Sequence, residues 1–426
     1  MGLADGYLLT SMTNLDLECN PMTAAARQPH LRQANLALVL DVLRRRGSCS
    51  RSQLVAATGL TRSAIAGLVG ELAALGLVDE RAPSPDGRPG RPSPVVQIDD
   101  KGVAALAIEI FVDEIGAAIV ALDGSIVSSV RVARPRTRVA VAETVHDVAQ
   151  LVERLNAQVR TSAHPPVDRR LIGCGVSVPG LVRDADGVVV AAPNLGWIDV
   201  SLAEELASTL GRGVPIHVGN DADLGALAES RFGAGVGSDH MIFVSGEVGV
   251  GGGLVAAGRP VVGHLGFAGE IGHLPVNPDG RRCRCGSIGC WETEVGESAL
   301  LERAGLDPDG GRAAVEELLV RAAAGDRRAT GALGSEARWL AIGIAGLVNV
   351  LDPDTVVLGG LFARVLPAIR TQLESELAER RYIAARRDVA VVGAALGPGS
   401  VTVGAAELAF GPLLDDPAGV MGAAVA

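Results

Sequence analysis

Apolar residues in the first hundred positions recur at three- and four-residue steps. Leu36, Val39, Leu40 and Leu43 line one face of a helix that the pattern starts near Leu31 and ends at Arg44-Arg45-Arg46-Gly47. Ser50 opens a second helix, and Gln53 three residues later completes a capping-box pattern. Leu54 and Val55 face inward there, until Thr58-Gly59 breaks the helix. Thr61 caps a third helix whose apolar face is Ile65, Leu68, Val69, Leu72 and Leu75. After Gly76 the periodicity changes to that of strands. Leu77-Val78-Asp79-Glu80 and the alternating Pro94-Val95-Val96-Gln97-Ile98 flank an Arg- and Pro-containing loop, Gly87-Arg88-Pro89-Gly90-Arg91-Pro92. Helix, short Gly-containing turn, helix and hairpin together predict a winged helix-turn-helix over residues 27–98.

From Gly102 short apolar blocks alternate with amphipathic stretches, as in an α/β protein. Val103–Ile110, Ile115–Leu122 and Ile126–Val132 read as three strands, Val139–Val159 as a helix, and Leu171–Val178 as a buried strand ended by Pro179-Gly180. A chain of 426 residues exceeds one ordinary core, so further domains are expected. Residues 1–26 carry no sustained period and are expected to form a disordered extension. No apolar run reaches the ~18 uncharged residues of a membrane span. Met1 to Leu17 lacks the basic start and apolar block of a signal peptide, so the cytoplasm is the expected compartment.

The net charge of −11 argues against nucleic acid until its distribution is considered. Between Arg27 and Pro94 stand ten Arg and five acidic residues, a balance of +5 that leaves −16 on the remainder. A basic module on an acidic body is the asymmetry of a DNA-binding segment attached to something else. The candidate contacts are Arg51, Thr61, Arg62, Ser63 and Gly67 around the third helix, with Arg88 and Arg91 projecting from the wing. Small residues let that helix approach the major groove, Arg62 can reach phosphate or guanine, and Pro-stiffened arginines suit a narrow minor groove.

The densest chemistry lies in Gly269-Glu270-Ile271-Gly272-His273 and Cys283-Arg284-Cys285-Gly286-Ser287-Ile288-Gly289-Cys290-Trp291-Glu292. One imidazole and three thiols form the ligand set of a closed structural zinc site, and Glu270 and Glu292 bracket it. Six cysteines, three of them clustered, fit a metal in a reducing compartment better than a disulfide framework. This run resembles the zinc loop of the ROK family, which groups repressors, open reading frames and sugar kinases. The resemblance extends from about Gly102 to Phe410. It implies two α/β lobes of actin and sugar-kinase type, one Zn²⁺ per chain on His273, Cys283, Cys285 and Cys290, and a sugar in the interlobe cleft facing Glu270, His273 and Glu292. The ROK domain is then expected over residues 102–426.

Other motifs line up in the same order. Pro193-Asn194-Leu195-Gly196-Trp197 resembles the family's sugar-contact loop, with Asn194 as the contact. Gly219-Asn220-Asp221-Ala222-Asp223 follows the strand Ile216–Val218. By residue type alone, Asn-Asp there is as well explained as a helix cap. The resemblance implies that Asn220 binds sugar and that Asp221 matches the base of ROK kinases. The kinases' Asp-x-Gly-Gly-Thr phosphate loop reads Glu109-Ile110-Phe111-Val112-Asp113 here, and their Gly-Thr-Gly-x-Gly loop reads Glu247-Val248-Gly249-Val250-Gly251. Bulk replaces two glycines, and in each loop a hydroxyl is lost and a carboxylate gained, against a reaction that rests on positioning and electrostatics. The expectation is a sugar-responsive transcriptional regulator without catalytic residues: a homodimer or dimer of dimers that reads an inverted-repeat operator and answers to a sugar or sugar phosphate. The alternative is an ATP-dependent sugar kinase with an added DNA-binding domain.

Overall fold

The structure, a computed structural model, describes residues 24–81, 94–136, 138–161, 169–211, 213–380 and 389–423. The N-terminal module consists of α1 (Ala24–Arg46), β1 (Cys49–Ser50), α2 (Arg51–Thr58), α3 (Arg62–Ala74), β2 (Val78–Arg81) and β3 (Val95–Ile98). The first helix begins about two turns before the apolar period does. Ser50 and Gln53 form the expected capping box on α2. Gly59 ends α2 at φ 70°, a left-handed conformation that costs a side-chain-bearing residue strain. Thr61 Oγ1 accepts from the Ala64 N–H at the start of α3. The wing strands pair antiparallel, and the short β1, absent from the sequence reading, joins β3 on its other side. Most of the expected extension, residues 1–23, and the wing tip with Arg88 and Arg91 lie outside the described residues.

The first lobe of the body holds β4 (Val103–Ile110), β5 (Glu114–Ala121), β6 (Ile126–Ala133), α4 (Val141–Thr161), β7 (Arg170–Val178), β8 (Leu181–Arg183), β9 (Val188–Ala192), β10 (Trp197–Val200), α5 (Leu202–Leu210) and β11 (Ile216–Asn220). Its five-stranded sheet runs β11-β7-β4-β5-β6, with β7 parallel to β4 and to β11 and an antiparallel β4-β5-β6 meander. Next come α6 (Asp221–Phe232), β12 (Met241–Gly246), β13 (Val250–Ala256) and β14 (Arg259–Pro260). The helices α7 (Glu292–Val295), α8 (Glu297–Ala304), α9 (Gly311–Ala323) and α10 (Arg327–Leu351) follow. The chain then runs through β15 (Thr355–Gly359), α11 (Gly360–Arg380), β16 (Ala390–Gly393), α12 (Ser400–Asp415) and α13 (Pro417–Ala423). The second sheet, β14-β13-β12-β15-β16, is also mixed.

Blocks such as Val103–Ile110, buried at every position, form central strands because both faces of the sheet are covered. The C-terminal helix α12 returns to the first lobe and packs on β4 and β7, while α6 packs on α12 and on β12 and β13 of the second lobe. The apolar core of the N-terminal helices is continuous with the body. Leu36, Val39, Leu40 and Leu43 belong to one buried cluster with Ile65, Leu68, Val120, Phe410 and Leu413. The fold is thus the expected α/β body of two lobes behind a winged helix-turn-helix.

Candidate functional site

The cleft is built from element ends. Asn194 lies in the turn between β9 and β10, Asp221 opens α6, Glu270 precedes and His273 ends a 3₁₀ turn at Ile271–His273, and Glu292 opens α7. His273 Nε2 is 3.6 Å from Glu270, and its Nδ1 is 3.8 Å from Glu292 and 3.8 Å from Cys283 Sγ. A Cβ on Gly249 would meet Glu292 Oε2 at 3.2 Å and Asn194 Nδ2 at 3.4 Å, which places that glycine, Asn194 and Glu292 in one corner. Asn220 sits beneath this cleft as the cap of α6. Its Oδ1 accepts from the Ala222 and Asp223 N–H groups, and its Nδ2 donates to the Gly180 carbonyl. One amide proton remains for anything in the cleft.

Burial sets the electrostatics of this face. It pushes the Asp221 carboxyl up to about 7, with the Glu270 charge adding to the effect, although the Ala222 N–H donates to it. Asp223 is pushed up to about 8 by burial and by the neighbouring charges of Asp221, Asp184 and Glu270. Burial likewise raises Glu270, partly offset by His273. Carboxyls gathered in this way suit hydrogen bonding to hydroxyl groups.

His273, Cys283, Cys285 and Cys290 present one donor atom each, all within 4.8 Å of one another. Ligands 2.3 Å from a tetrahedral centre have S···S edges of about 3.8 Å. The Cys285–Cys290 sulfur separation of 3.7 Å and the Cys283 Sγ–His273 Nδ1 separation of 3.8 Å fit such an ion. The Cys285 thiol is held at about 7: burial works against ionisation, but hydrogen bonds from the Ser287 backbone and from the Cys283 and Cys290 thiols favour it. Cys290 and Trp291 are fully buried, and Trp291 Nε1 donates to the Trp339 carbonyl, so the knot is fastened to α10. Arg284, between two of these cysteines and not singled out in the sequence, reaches across to donate to Asn194 Oδ1 at 3.0 Å. Only its position inside the motif could have drawn attention to it.

The two altered loops are closed by charge. Arg136 holds Asp113 through Nη2 at 2.7 Å and reaches Glu297 of α8 through Nη1 at 2.6 Å, a bridge between the lobes. Glu247, whose side chain is half exposed, pairs with Arg364 at 3.2 Å. Glu109 is turned inward, taking the Thr402 hydroxyl at 2.8 Å and Arg131 at 2.6 Å. The bare negative charges expected at Asp113 and Glu247 are therefore partnered, which amends the sequence reading. Ion pairs occupy both carboxylates where the sequence reading had bare charge.

On the N-terminal module, Thr61, Arg62, Ser63 and Gly67 are exposed on one face of α3. A Cβ on Gly67 or on Gly70, the latter missed in the sequence, would meet nothing within 4 Å, so this face presents nearly bare backbone. Arg51 is half-buried and pairs with Glu80 of β2 at 2.7 Å, fastening α2 to the wing.

Fold and site together define a winged helix-turn-helix carried on a two-lobed body of sugar-kinase type, with a Cys/His knot beside its cleft. The ROK family model matches residues 105–411, and the MarR family model matches residues 37–89. The chain belongs to the ROK family. It is 27% identical over 391 residues to the xylose repressor of Bacillus subtilis, covering 92% of this chain and 98% of that protein. A glucokinase of Streptomyces coelicolor is 31% identical but spans 72% of this chain and 98% of its own length. A crystal structure of a ROK family transcriptional regulator, described as a homologue of the E. coli MLC protein, superposes with a TM-score of 0.75 at 24% identity over 93% of this chain and 99% of its own. The ROK family glucokinase of Streptomyces griseus, solved with glucose and AMPPNP, superposes with a TM-score of 0.60 at 29% identity, covering 72% of this chain and 98% of that one.

Proposed function

We propose that this chain is a sugar-responsive transcriptional repressor of carbohydrate metabolism that works in the cytoplasm and does not transfer phosphate. The observation that carries the reading is the contrast within one cleft. One side gathers the polar groups of Asn194, Asp221, Glu270, His273 and Glu292, with Asn194 held by Arg284 and Glu292 by the Cys283 thiol, while the two altered loops are tied by the Asp113–Arg136–Glu297 and Glu247–Arg364 pairs. Similarity over the full chain to a protein named a repressor supports it, as does the kinase similarity that covers only the body.

In this reading residues 27–98 bind DNA. The N-terminal turn of α3, with Thr61, Arg62, Ser63 and Gly67, enters the major groove, and Arg51, Arg88 and Arg91 lie on flanking backbone and minor groove. Two copies of the chain read an inverted repeat with half-sites about one or two helical turns apart. One Zn²⁺ per chain on His273, Cys283, Cys285 and Cys290 braces the wall on which Glu270 and Glu292 stand, without an open coordination position. A sugar or sugar phosphate forms hydrogen bonds with Asn194, Asn220, Asp221, Glu270, His273 and Glu292, the carboxylates accepting from its hydroxyls. Its binding shifts the balance between conformations that differ in DNA affinity.

The test is a purified full chain offered D-xylose, D-glucose and their phosphates. The expected result is a sugar-dependent thermal shift, selection of an inverted repeat from a random DNA pool, and no sugar-dependent ATP consumption. Turnover of ATP at ordinary kinase rates, about 1–100 s⁻¹, abolished by Asp221→Asn, would establish the kinase alternative instead.

A further inference from the structure

Arg44 lies in the last turn of α1, yet its side chain is 2% exposed, and it is paired with Glu407 of α12, whose side chain is 1% exposed. The guanidinium also donates through Nε to the Leu122 carbonyl at 2.9 Å and lies 5.3 Å and 5.7 Å from the ring centres of Phe232 and Phe410. The same carboxylate receives a second guanidinium, Arg231 Nη1 at 2.7 Å, from the last turn of α6. Glu407 thus stands where three bodies meet: α12 packed on the first sheet, α6 packed on the second, and α1 from the winged helix.

The other end of α6 is the cleft, since Asn220 caps it and Asp221 is its first residue. Twelve residues span about 18 Å. At Gly404 nothing cushions α6 from α12. A Cβ on Gly404 would run into the Leu224 carbonyl, so the two helices touch backbone to backbone. Near the far end Glu229 of α6 accepts from the Ala395 and Leu396 N–H groups at 3.0 Å each and from the Ser400 hydroxyl at 2.7 Å, tying α6 to the start of α12. These ties clamp α6 to α12 beside Arg231 and Glu407, so that a shift of α6 is carried to α12 and with it to the seat of Arg44.

We infer that Glu407 is the coupling joint of this protein: its shared ion pairs with Arg231 and Arg44 transmit the state of the sugar cleft along α6 and α12 to α1 and the recognition helix. The inference rests on the regulator reading above and names its route of regulation. A mere staple would need one guanidinium, and stability alone would be served as well by apolar side chains of similar volume, because desolvation offsets most of the attraction in a buried ion pair. Two partners from two moving bodies make instead an element whose arrangement both sites bias, which is the physical requirement for coupling.

The experiment uses the full chain, D-xylose and D-glucose as probes, and an inverted-repeat duplex selected by the wild type. Arg231→Met is the informative variant, because it leaves the Arg44–Glu407 pair seated. Glu407→Gln, which strands two guanidinium groups, is the harsher companion. In the wild type the operator Kd changes with sugar by a factor of order 5–150. In Arg231→Met the sugar Kd and the sugar-free operator Kd stay within about twofold of wild type, while the sugar-induced factor falls to about twofold or less. Arg231→Lys, which keeps the charge, restores part of it. A purely structural role would shift melting temperature and leave that factor alone. An undiminished factor in Arg231→Met overturns the coupling joint and leaves the regulator reading standing. A wild type that binds neither sugar, or binds one with no change in operator affinity, overturns the regulator reading and the joint with it.

Discussion

Replacing Cys285 by serine isolates the contribution of the proposed zinc. Cys285 is the exposed member of the four donors, whereas Cys283 and Cys290 are buried, so the oxygen-for-sulfur exchange at 285 costs little by itself. A metal held by His273 and Cys290 closes a loop of about 18 residues, and loop closure of that length restricts the unfolded chain by about 3 kcal/mol. At roughly 1–2 °C per kcal/mol for a body of this size, the expected loss is about 3–6 °C in melting temperature. Metal analysis should find one zinc per wild-type chain and almost none in Cys285→Ser after dialysis against a chelator. Chelator-stripped wild type should then melt within a degree or two of the variant, because both lack the same cross-link. The sugar-dependent thermal shift should shrink in both, since Trp291 and Glu292 directly follow the ligand Cys290. A wild type that is folded, free of zinc and unchanged by chelator would refute the reasoning. So would a variant that melts far below stripped wild type, because the loss would then not come from the metal.

Three further outcomes follow from the same geometry. Asp221→Asn should weaken sugar binding by about 10–100-fold, the value of a hydrogen bond to a charged group, with sugar-free operator affinity nearly intact in gel-shift titration. Arg62→Ala should cost about 1–3 kcal/mol at the preferred base and relax selection there, read from sequencing of pools selected by the variant. Asp223 has its folded-state carboxyl raised from 3.8 to about 8 by burial and neighbouring charge. Its contribution to stability is therefore fully present in acid and lost as pH rises through about 8. Asp223→Asn should accordingly melt above wild type at pH 8.5, with the difference shrinking steadily toward pH 4.

Much of this protein is legible in its sequence because much of it is local. The capping box at Ser50 and Gln53, the cap at Thr61, and the face Ile65, Leu68, Val69 and Leu72 lie within a few turns of one another, and periodicity reports them directly. The Cys/His knot is nearly as local, its donors falling between residues 273 and 290. The altered phosphate loops are likewise short runs in which side-chain size and charge can be read off in order. The β1 strand escaped because two residues carry no period, and their pairing with Val95 and Val96 is decided across the wing.

Charge partnership is what only the tertiary structure decided. Arg44 counts toward the basic balance of the N-terminal module, yet it is spent inside the protein on a carboxylate 363 residues away. Asp113 and Glu247 read as repulsive until Arg136 and Arg364 are seen against them, and Arg136 reaches Glu297 across 161 positions. The physical reason is that a helix period or a cap depends on backbone geometry within one or two turns. The fate of a charge depends instead on which distant side chain shares its desolvated space, and nothing in its own neighbourhood of sequence specifies that.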